Sequence, residues 1–501
     1  MASLISRSPG DLCPQARAAG CPPALRKYVL LAAILGSSLG FIDGTIITVA
    51  IQAIRDAFDA SFGAVIWVAN GYTLALSAFL LVGGAAGDRI GQRRVFGAGI
   101  VVIAAATALC AVAPTVEFLI AARVVQGLAA AFMVPGSLAL IAVNYPPEER
   151  GRAVGTWAAA SGITAAIGPI LGGVLIDLGS WPAVFLINLP VAVLALAILY
   201  GKVPADVARG SGRFDALGAV LAFAGVGLVA GALTAAEQQG LVSTLVAMLA
   251  GGGVITLVLF VWWQGRVAAP MVPLSLFRQR TFAVANLLTF ALYFALAGSL
   301  FFLPLSLLEG RGWAATAAGS VFLPFTLVMA VVSPLAGRAR GRLGARPLLV
   351  AGPCVAAASF FWLSQVVPGV ERVWAVAPAM GLLGLGMGLA IPPLSAAVLN
   401  DAGEARSGIA SGINNAVARV AGLFAIAVLG VLASALFAVA GLPGVGFAAE
   451  AEGVDEAVRS AAVLFAFQGV TLACCAMALV GGVLALALPP LAVRHSERSG
   501  D

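Results

Sequence analysis

Gly84-Ala85-Ala86-Gly87-Asp88-Arg89-Ile90-Gly91-Gln92-Arg93 reappears 253 residues later as Gly337-Arg338-Ala339-Arg340-Gly341-Arg342-Leu343-Gly344-Ala345-Arg346. A second echo pairs Asn144, Glu148 and Arg150 with Asn400, Glu404 and Arg406 at an offset of 256. Two similar offsets argue for an internal duplication; the competing reading is a chance likeness between loops rich in glycine and arginine. Eight apolar spans separate the copies. That number is even, so both copies point the same way across a membrane. The copies are not equal: Asp88 has become Gly341.

The spans themselves follow from composition. Hydrophobic residues make up 61% of the 501-residue chain and charged residues only 10%, well under half the charged share of a soluble domain. Such a chain is a polytopic membrane protein. Apolar stretches of roughly 20 residues fall at about 28–52, 63–86, 95–113, 116–142, 154–177, 183–203, 215–235, 241–263, 283–304, 316–336, 348–366, 373–398, 408–438 and 461–488. This makes fourteen spans. The first is too long for a cleaved signal segment and contains an acid, so it reads as a retained helix.

Basic residues set the orientation. With the N-terminus in the cytoplasm, the inner loops and tails hold 22 of the 28 Lys and Arg residues, and the outer loops hold Arg55, Arg311, Arg372 and Arg459. Arg123 and Arg419 lie within spans. That asymmetry satisfies the positive-inside rule and places both termini in the cytoplasm. The net charge of +6 is spread over many short loops, whereas a nucleic-acid partner would want it gathered on one face.

Other chemistry is poorly supplied. Cys110, Cys354, Cys474 and Cys475 lie in spans, Cys13 and Cys21 in the N-terminal tail, and His495 is the single histidine. None has metal-ligand spacing. Lys27 and Lys202 are the only lysines, and neither lies in a phosphate-binding loop. No metal, cofactor or ATP motor is expected, so uphill work would draw on an ion gradient or a separate subunit. The acidic cluster Glu450, Glu452, Asp455 and Glu456 sits in one loop without a histidine partner, so an enzyme is not expected.

The charges inside apolar spans point to function. Asp43 is the only carboxylate well inside a span. It lies about 9 residues, roughly 14 Å, from the outer end of span 1, while Arg123 lies about 7 residues, roughly 10 Å, from the outer end of span 4. Each would cost about 2.5–3.5 kcal/mol at a helix centre, and pairing or a wet surface lowers that cost. Desolvation favours a protonated carboxyl and a nearby arginine favours the ionised one, a balance suited to a group that takes up and releases a proton. The alternatives are an outward-snorkelling Arg123 and an Asp43 that only braces helices. Gly36, Gly40, Asp43, Ile47 and Ala50 share one side of span 1. Arg123, Gln126 and Ala130 share a side of span 4, and Gly408, Ser411, Gly412, Asn415, Arg419 and Gly422 form a stripe on span 13 with Asn414 beside it.

These marks, with Trp67 and Tyr72 in span 2, Arg123-Val-Val-Gln126-Gly127, and Gly168-Pro169-Ile-Leu-Gly172-Gly173 in span 5, resemble the major facilitator superfamily. Within it the chain looks like the fourteen-span drug:proton antiporters. Trp181, the run Phe185-Leu-Ile-Asn188-Leu-Pro190 and the stretch Ser411–Arg419 resemble the same branch. The resemblance implies an all-α polytopic fold with two six-helix halves and two extra central spans. Its divisions are a cytoplasmic tail 1–27, an N-terminal bundle 28–203, a linker and extra spans 204–263, a C-terminal bundle 264–490 and a cytoplasmic tail 491–501. In ordinary twelve-span relatives six spans would separate the motif copies, so spans 7 and 8 are the inserted pair.

The resemblance also assigns roles. Asp43 and Arg123 would couple protons. Gly84, Asp88, Arg89, Gly91 and Arg93 would form the conformational switch loop, against a plainer reading in which Gly84 and Gly91 only permit close packing and a tight turn. Gly168, Pro169, Gly172 and Gly173 would be the helix 5 motif that marks exporters. Trp67, Asn70, Gln126, Tyr293, Asn414, Asn415 and Arg419 are candidates to line the substrate cavity; for Arg419, helix packing stands as an equal alternative. Some relatives keep acids in spans 10 or 13 and this chain does not, which argues against a strong preference for dications. The implied activity is proton-coupled export of small amphiphilic or drug-like molecules by a monomer in the bacterial cytoplasmic membrane. Its partners would be the substrate, protons and the bilayer. A proton-coupled metabolite transporter of the same fold is the alternative.

Overall fold

A computed structural model describes residues 22–179, 181–204, 215–240, 243–366, 373–402, 407–442 and 455–488. Its elements are helical: α1 (Pro23–Phe58), α2 (Phe62–Ile90), α3 (Gln92–Ala111), α4 (Val116–Asn144), α5 (Pro147–Asp177), α6 (Ala183–Leu186), α7 (Asn188–Lys202), α8 (Ala216–Gln239) and α9 (Thr244–Gln264). After a 3₁₀ turn at Leu274–Arg278 come α10 (Arg280–Arg311), α11 (Ala315–Ser320), α12 (Phe322–Leu343), α13 (Ala345–Ser364), α14 (Val373–Ala402), α15 (Ser407–Val439) and α16 (Glu456–Leu486). Helices close their own backbone hydrogen bonds, which is what a lipid-embedded segment requires. Among the described residues thirteen spans are long and apolar enough to cross a bilayer. The 31-residue α5 falls where the fifth span is expected, and its described apolar part is the shorter Ile167–Asp177. The chain is a multi-pass membrane protein.

Two spans are split, and proline explains both breaks. Pro190 cannot donate to the Leu186 carbonyl, where α6 ends, and Pro324 cannot donate to Ser320, where α11 ends. The chain stays near-helical through Ile187 (φ −58°, ψ −24°) and Val321 (φ −63°, ψ −15°). Each pair therefore crosses as one bent span, as expected at 183–203 and 316–336. The first span is longer than the expected 28–52, so Asp43 lies 15 residues from the end of α1 at Phe58, about 22 Å along the axis.

The chain divides into two compact units, Met1–Ala60 with Ala64–Phe223 and Val267–Met271, and Ser61–Gly63 with Ala224–Arg266 and Val272–Asp501. In the first unit α1 packs on α4, α5 and α7, and α3 on α4 and α7. Its core includes Phe96, Ile103, Met133 and Leu140. In the second, α10 packs on α15 and α16, α13 on α14 and α16, and α12 on α14. Counting spans within each repeat, from α1 and from α10, these are matching pairs: first with fifth and sixth, third with fourth and sixth. The second–fourth pair matches too. A Cβ on Gly127 would run into the Tyr72 backbone, and one on Gly384 would run into the Phe325 backbone, so both crossings depend on glycine.

The duplicated loop is retained in three dimensions. Gly91 (φ 112°) and Gly344 (φ 79°) occupy the same repeat position, just before α3 and α13, and both lie where L side chains are strained. Between the repeats, α8 and α9 pack through Gly225 on Leu257 and Gly253 on Val229. The other side of α9 exposes Met248, Val254, Ile255, Val258 and Trp262, an apolar surface of the kind lipid covers.

Candidate functional site

Asp43 on α1 and Arg123 on α4 meet inside the first unit. Both side chains are 1% exposed. Arg123 Nη1 donates to Asp43 Oδ2 at 2.5 Å and to Gln126 Oε1 at 3.0 Å, and its Nε donates to the Val68 carbonyl on α2 at 2.9 Å. The guanidinium carbon stands 4.6 Å from the Tyr72 ring centroid, a cation–π distance. Gln126 Nε2 reaches Asp43 Oδ1 at 3.3 Å and Thr107 Oγ1 on α3 at 2.8 Å, while Cys110 donates to Gln126 Oε1 at 3.3 Å. Four helices thus contribute to one polar network, closed to solvent in this conformation. Its charges balance locally, which makes burial tolerable.

Glycine makes the network possible. The α2–α4 crossing at Gly127 brings the Val68 carbonyl and the Tyr72 ring onto Arg123. Tyr72 in turn donates its hydroxyl to the Gly40 carbonyl on α1 at 3.0 Å. A Cβ at Gly40 would stand 3.3 Å from that hydroxyl.

The Gly168–Gly173 motif seats the helix that carries Asp43. A Cβ on Gly168 would strike Thr45 Oγ1, and one on Gly172 would lie 2.7 Å from both Ile46 Cγ1 and Val49 Cγ2. Pro169 interrupts the donor ladder inside α5, and Gly173 is buried beside it. Further along the same interface Trp157 Nε1 donates to Ser37 Oγ at 2.9 Å, and Ser38 meets Thr164 at 3.2 Å.

The loop residues divide. Gly84, Asp88 and Arg89 lie on the last turns of α2, and their side chains fall outside the described residues. Arg93 is described: its Nε donates to the Leu199 carbonyl at 3.2 Å and its Nη2 to the Tyr200 carbonyl at 2.9 Å. Its repeat counterpart Arg346 donates to the Leu486 carbonyl at 2.6 Å. Each arginine therefore caps the sixth span of its own repeat, where exposed carbonyls attract a cation.

The remaining candidates separate by unit. Trp67 is half-buried, and Asn70 is fully buried with neither amide atom hydrogen-bonded. Gln126 belongs to the Asp43 network. In the second unit Thr289 Oγ1 lies 2.6 Å from Asn414 Oδ1, Tyr293 and Arg419 are half-buried, and Asn415 is exposed.

Two features escaped the sequence reading. Thr107 and Cys110 join the Asp43 network, yet a threonine or cysteine in an apolar helix carries no signal of its own. Glu309, whose side chain is 7% exposed at the end of α10, forms an ion pair with Arg459 near the start of α16, and Ser460 Oγ donates to the Gly310 carbonyl at 2.6 Å. The expected span 283–304 stopped short of Glu309; the length of α10, 32 residues, is what brings that acid into the packed helix.

The geometry agrees with what the chain resembles. Residues 33–426 match the Major Facilitator Superfamily. The chain is 31% identical over 405 residues to the methylenomycin A resistance protein of Bacillus subtilis, covering 81% of this chain and 87% of that protein. It is 32% identical over 447 residues to the tetracenomycin C resistance and export protein of Streptomyces glaucescens, covering 87% and 82%. A bacterial homologue of the human lysosomal transporter Spinster, solved in an inward-facing, unoccupied conformation, superposes with a TM-score of 0.66 at 18% identity over 94% of this chain and 98% of that one. With matching six-span repeats, a shared loop motif and a family match across most of its length, this chain belongs to the Major Facilitator Superfamily.

Proposed function

We propose that this chain exports small amphiphilic, drug-like molecules in exchange for protons, by alternating access, as one of the fourteen-span drug:proton antiporters. It would sit in a bacterial cytoplasmic membrane with both termini in the cytoplasm, since 22 of 28 basic residues then lie inside. Relatives named for antibiotic resistance and export support the substrate class. The observation that carries the coupling is the buried contact of Asp43 with Arg123 and Gln126.

Its chemistry has two states. Ionised Asp43 holds Arg123 by charge and hydrogen bonds and ties α1 to α4. A proton on Asp43 cancels the attraction, leaving Arg123 with the Val68 carbonyl, the Gln126 carbonyl and the Tyr72 ring. Because the pair is closed to solvent here, the proton reaches it only when the helices part. Protonation and helix movement are therefore linked, and each side of the membrane meets the pair in a different arrangement. Arg123 then drives the carboxyl back to its ionised form. Asp88, Arg89 and Arg93 would bias the two arrangements from the loop, and Gly168, Gly172 and Gly173 would let α1 move against α5 without side-chain obstruction.

Expression in a susceptible bacterial host is expected to raise tolerance to some members of a panel of amphiphilic antibiotics. Cells should extrude the labelled compound, and a protonophore should stop extrusion. Energised accumulation of the label would instead favour a metabolite symporter.

A further inference from the structure

Among the described residues, one charge of the second unit lies deep inside a span and in no ion pair. Arg419 is the thirteenth of 33 residues in α15 and the only charged residue of that helix. Other charges on the spans of this unit lie near helix ends, as Arg280, Glu309 and Arg311 do on α10. None of the four ion pairs among the described residues includes Arg419. Arg123 of the first unit is sealed and paired, whereas Arg419 is half-buried. An arginine at that depth does not face hydrocarbon; it faces a wet path or a partner.

Its surroundings describe the partner. Arg419 lies within electrostatic reach of Tyr293 on α10. Thr289 donates to Asn414 Oδ1 at 2.6 Å, which engages the amide oxygen and leaves its N–H groups to donate elsewhere. Asn415, beside it, is exposed. A guanidinium, amide donors and the Tyr293 ring suit a planar anion attached to an aromatic body. An acid on these helices would suit a cation, and α15 has none.

We propose that this face of α10 and α15 binds the anionic group of an aromatic amphiphile, with Arg419 as its counter-ion. The inference rests on the export reading only in taking the ligand to be the transported substrate. One consequence is energetic: an anion leaving as a proton enters moves two charges inward per cycle, so the same membrane potential drives it harder than a neutral compound.

The test is binding to the purified full-length protein in nanodiscs of neutral lipid, independent of transport. The probes share one aromatic body and differ in charge: 2-naphthoate, methyl 2-naphthoate and 2-naphthylmethylamine. Wild type is expected to bind 2-naphthoate roughly tenfold or more tighter than the amine, the effect of about one charge-assisted hydrogen-bonded contact. Arg419→Gln should remove that preference and leave the ester unchanged, while Arg419→Lys should keep part of it. Equal or inverted preference in wild type overturns the proposal, as does a preference unmoved in a folded Arg419→Gln protein. The wild-type comparison decides even if the variant does not fold. Failure of the export reading would appear in the tolerance assay and leave this preference intact.

Discussion

Asp43→Asn is expected to bind substrate and to exchange it across a membrane without a gradient, yet to lose all proton-driven transport. The amide nearly matches the carboxylate in shape and can still accept from Arg123, so the fold is kept, although the uncompensated Arg123 charge lowers its stability. What disappears is the ability to gain and lose a proton. In the wild type, one inward proton against a neutral substrate at ~150 mV sustains roughly a 300-fold gradient, at about 2.3 kcal/mol per 100 mV and about 1.4 kcal/mol per decade. The variant should sustain none. Counterflow of labelled substrate in proteoliposomes measures the retained half, and an imposed pH gradient measures the lost half. Gradient-driven transport at the wild-type level would move the coupling site elsewhere and leave Asp43 as a brace between helices.

Arg123→Met should cost both stability and coupling. It leaves Asp43 with only the Gln126 amide at 3.3 Å. Stranding one member of a buried pair costs about 3–5 kcal/mol, whereas replacing both by uncharged groups is often near neutral. The stranded carboxyl can escape part of that cost by holding a proton, which would fix it in one state of the cycle. Combined with Asp43→Asn, Arg123→Met should recover most of the lost stability without recovering transport. Thermal unfolding of wild type, both single variants and the double variant gives the coupling energy, expected above roughly 1 kcal/mol for groups in direct contact. Simple additivity would mean that the contact does not hold the two helices together.

How much of this was legible in the sequence depends on how each residue advertises itself. Asp43 and Arg123 stood out because a charge in an apolar helix is rare and costly, and their helices bring them to 2.5 Å. Gly91 and Gly344 were legible as a repeat because a backbone at positive φ tolerates little but glycine. Tyr72 was noticed only as a family mark, and its position over Arg123 came from the crossing at Gly127. Thr107 and Cys110 were invisible: their residue types are ordinary in membrane helices, and only α3 packing on α4 gives them a partner. Glu309 and Arg459 are 150 residues apart and lie at span ends, where a charge looks solvated until the helix proves longer than its apolar stretch. The breaks at Ile187 and Val321 could have been read in advance, because Pro190 and Pro324 each remove a donor one turn later.

The most direct measurement concerns the direction in which protons move with substrate. Proteoliposomes are loaded with a pH-sensitive dye and the compound giving the largest gain in tolerance, then diluted into substrate-free buffer. As substrate leaves through the wild-type protein, the lumen should acidify, because each exiting molecule is exchanged for an entering proton. Asp43→Asn vesicles should show no pH change. Alkalinisation of the wild-type lumen would identify symport, and substrate exit with no pH change would identify uncoupled transport; either result contradicts the antiport account.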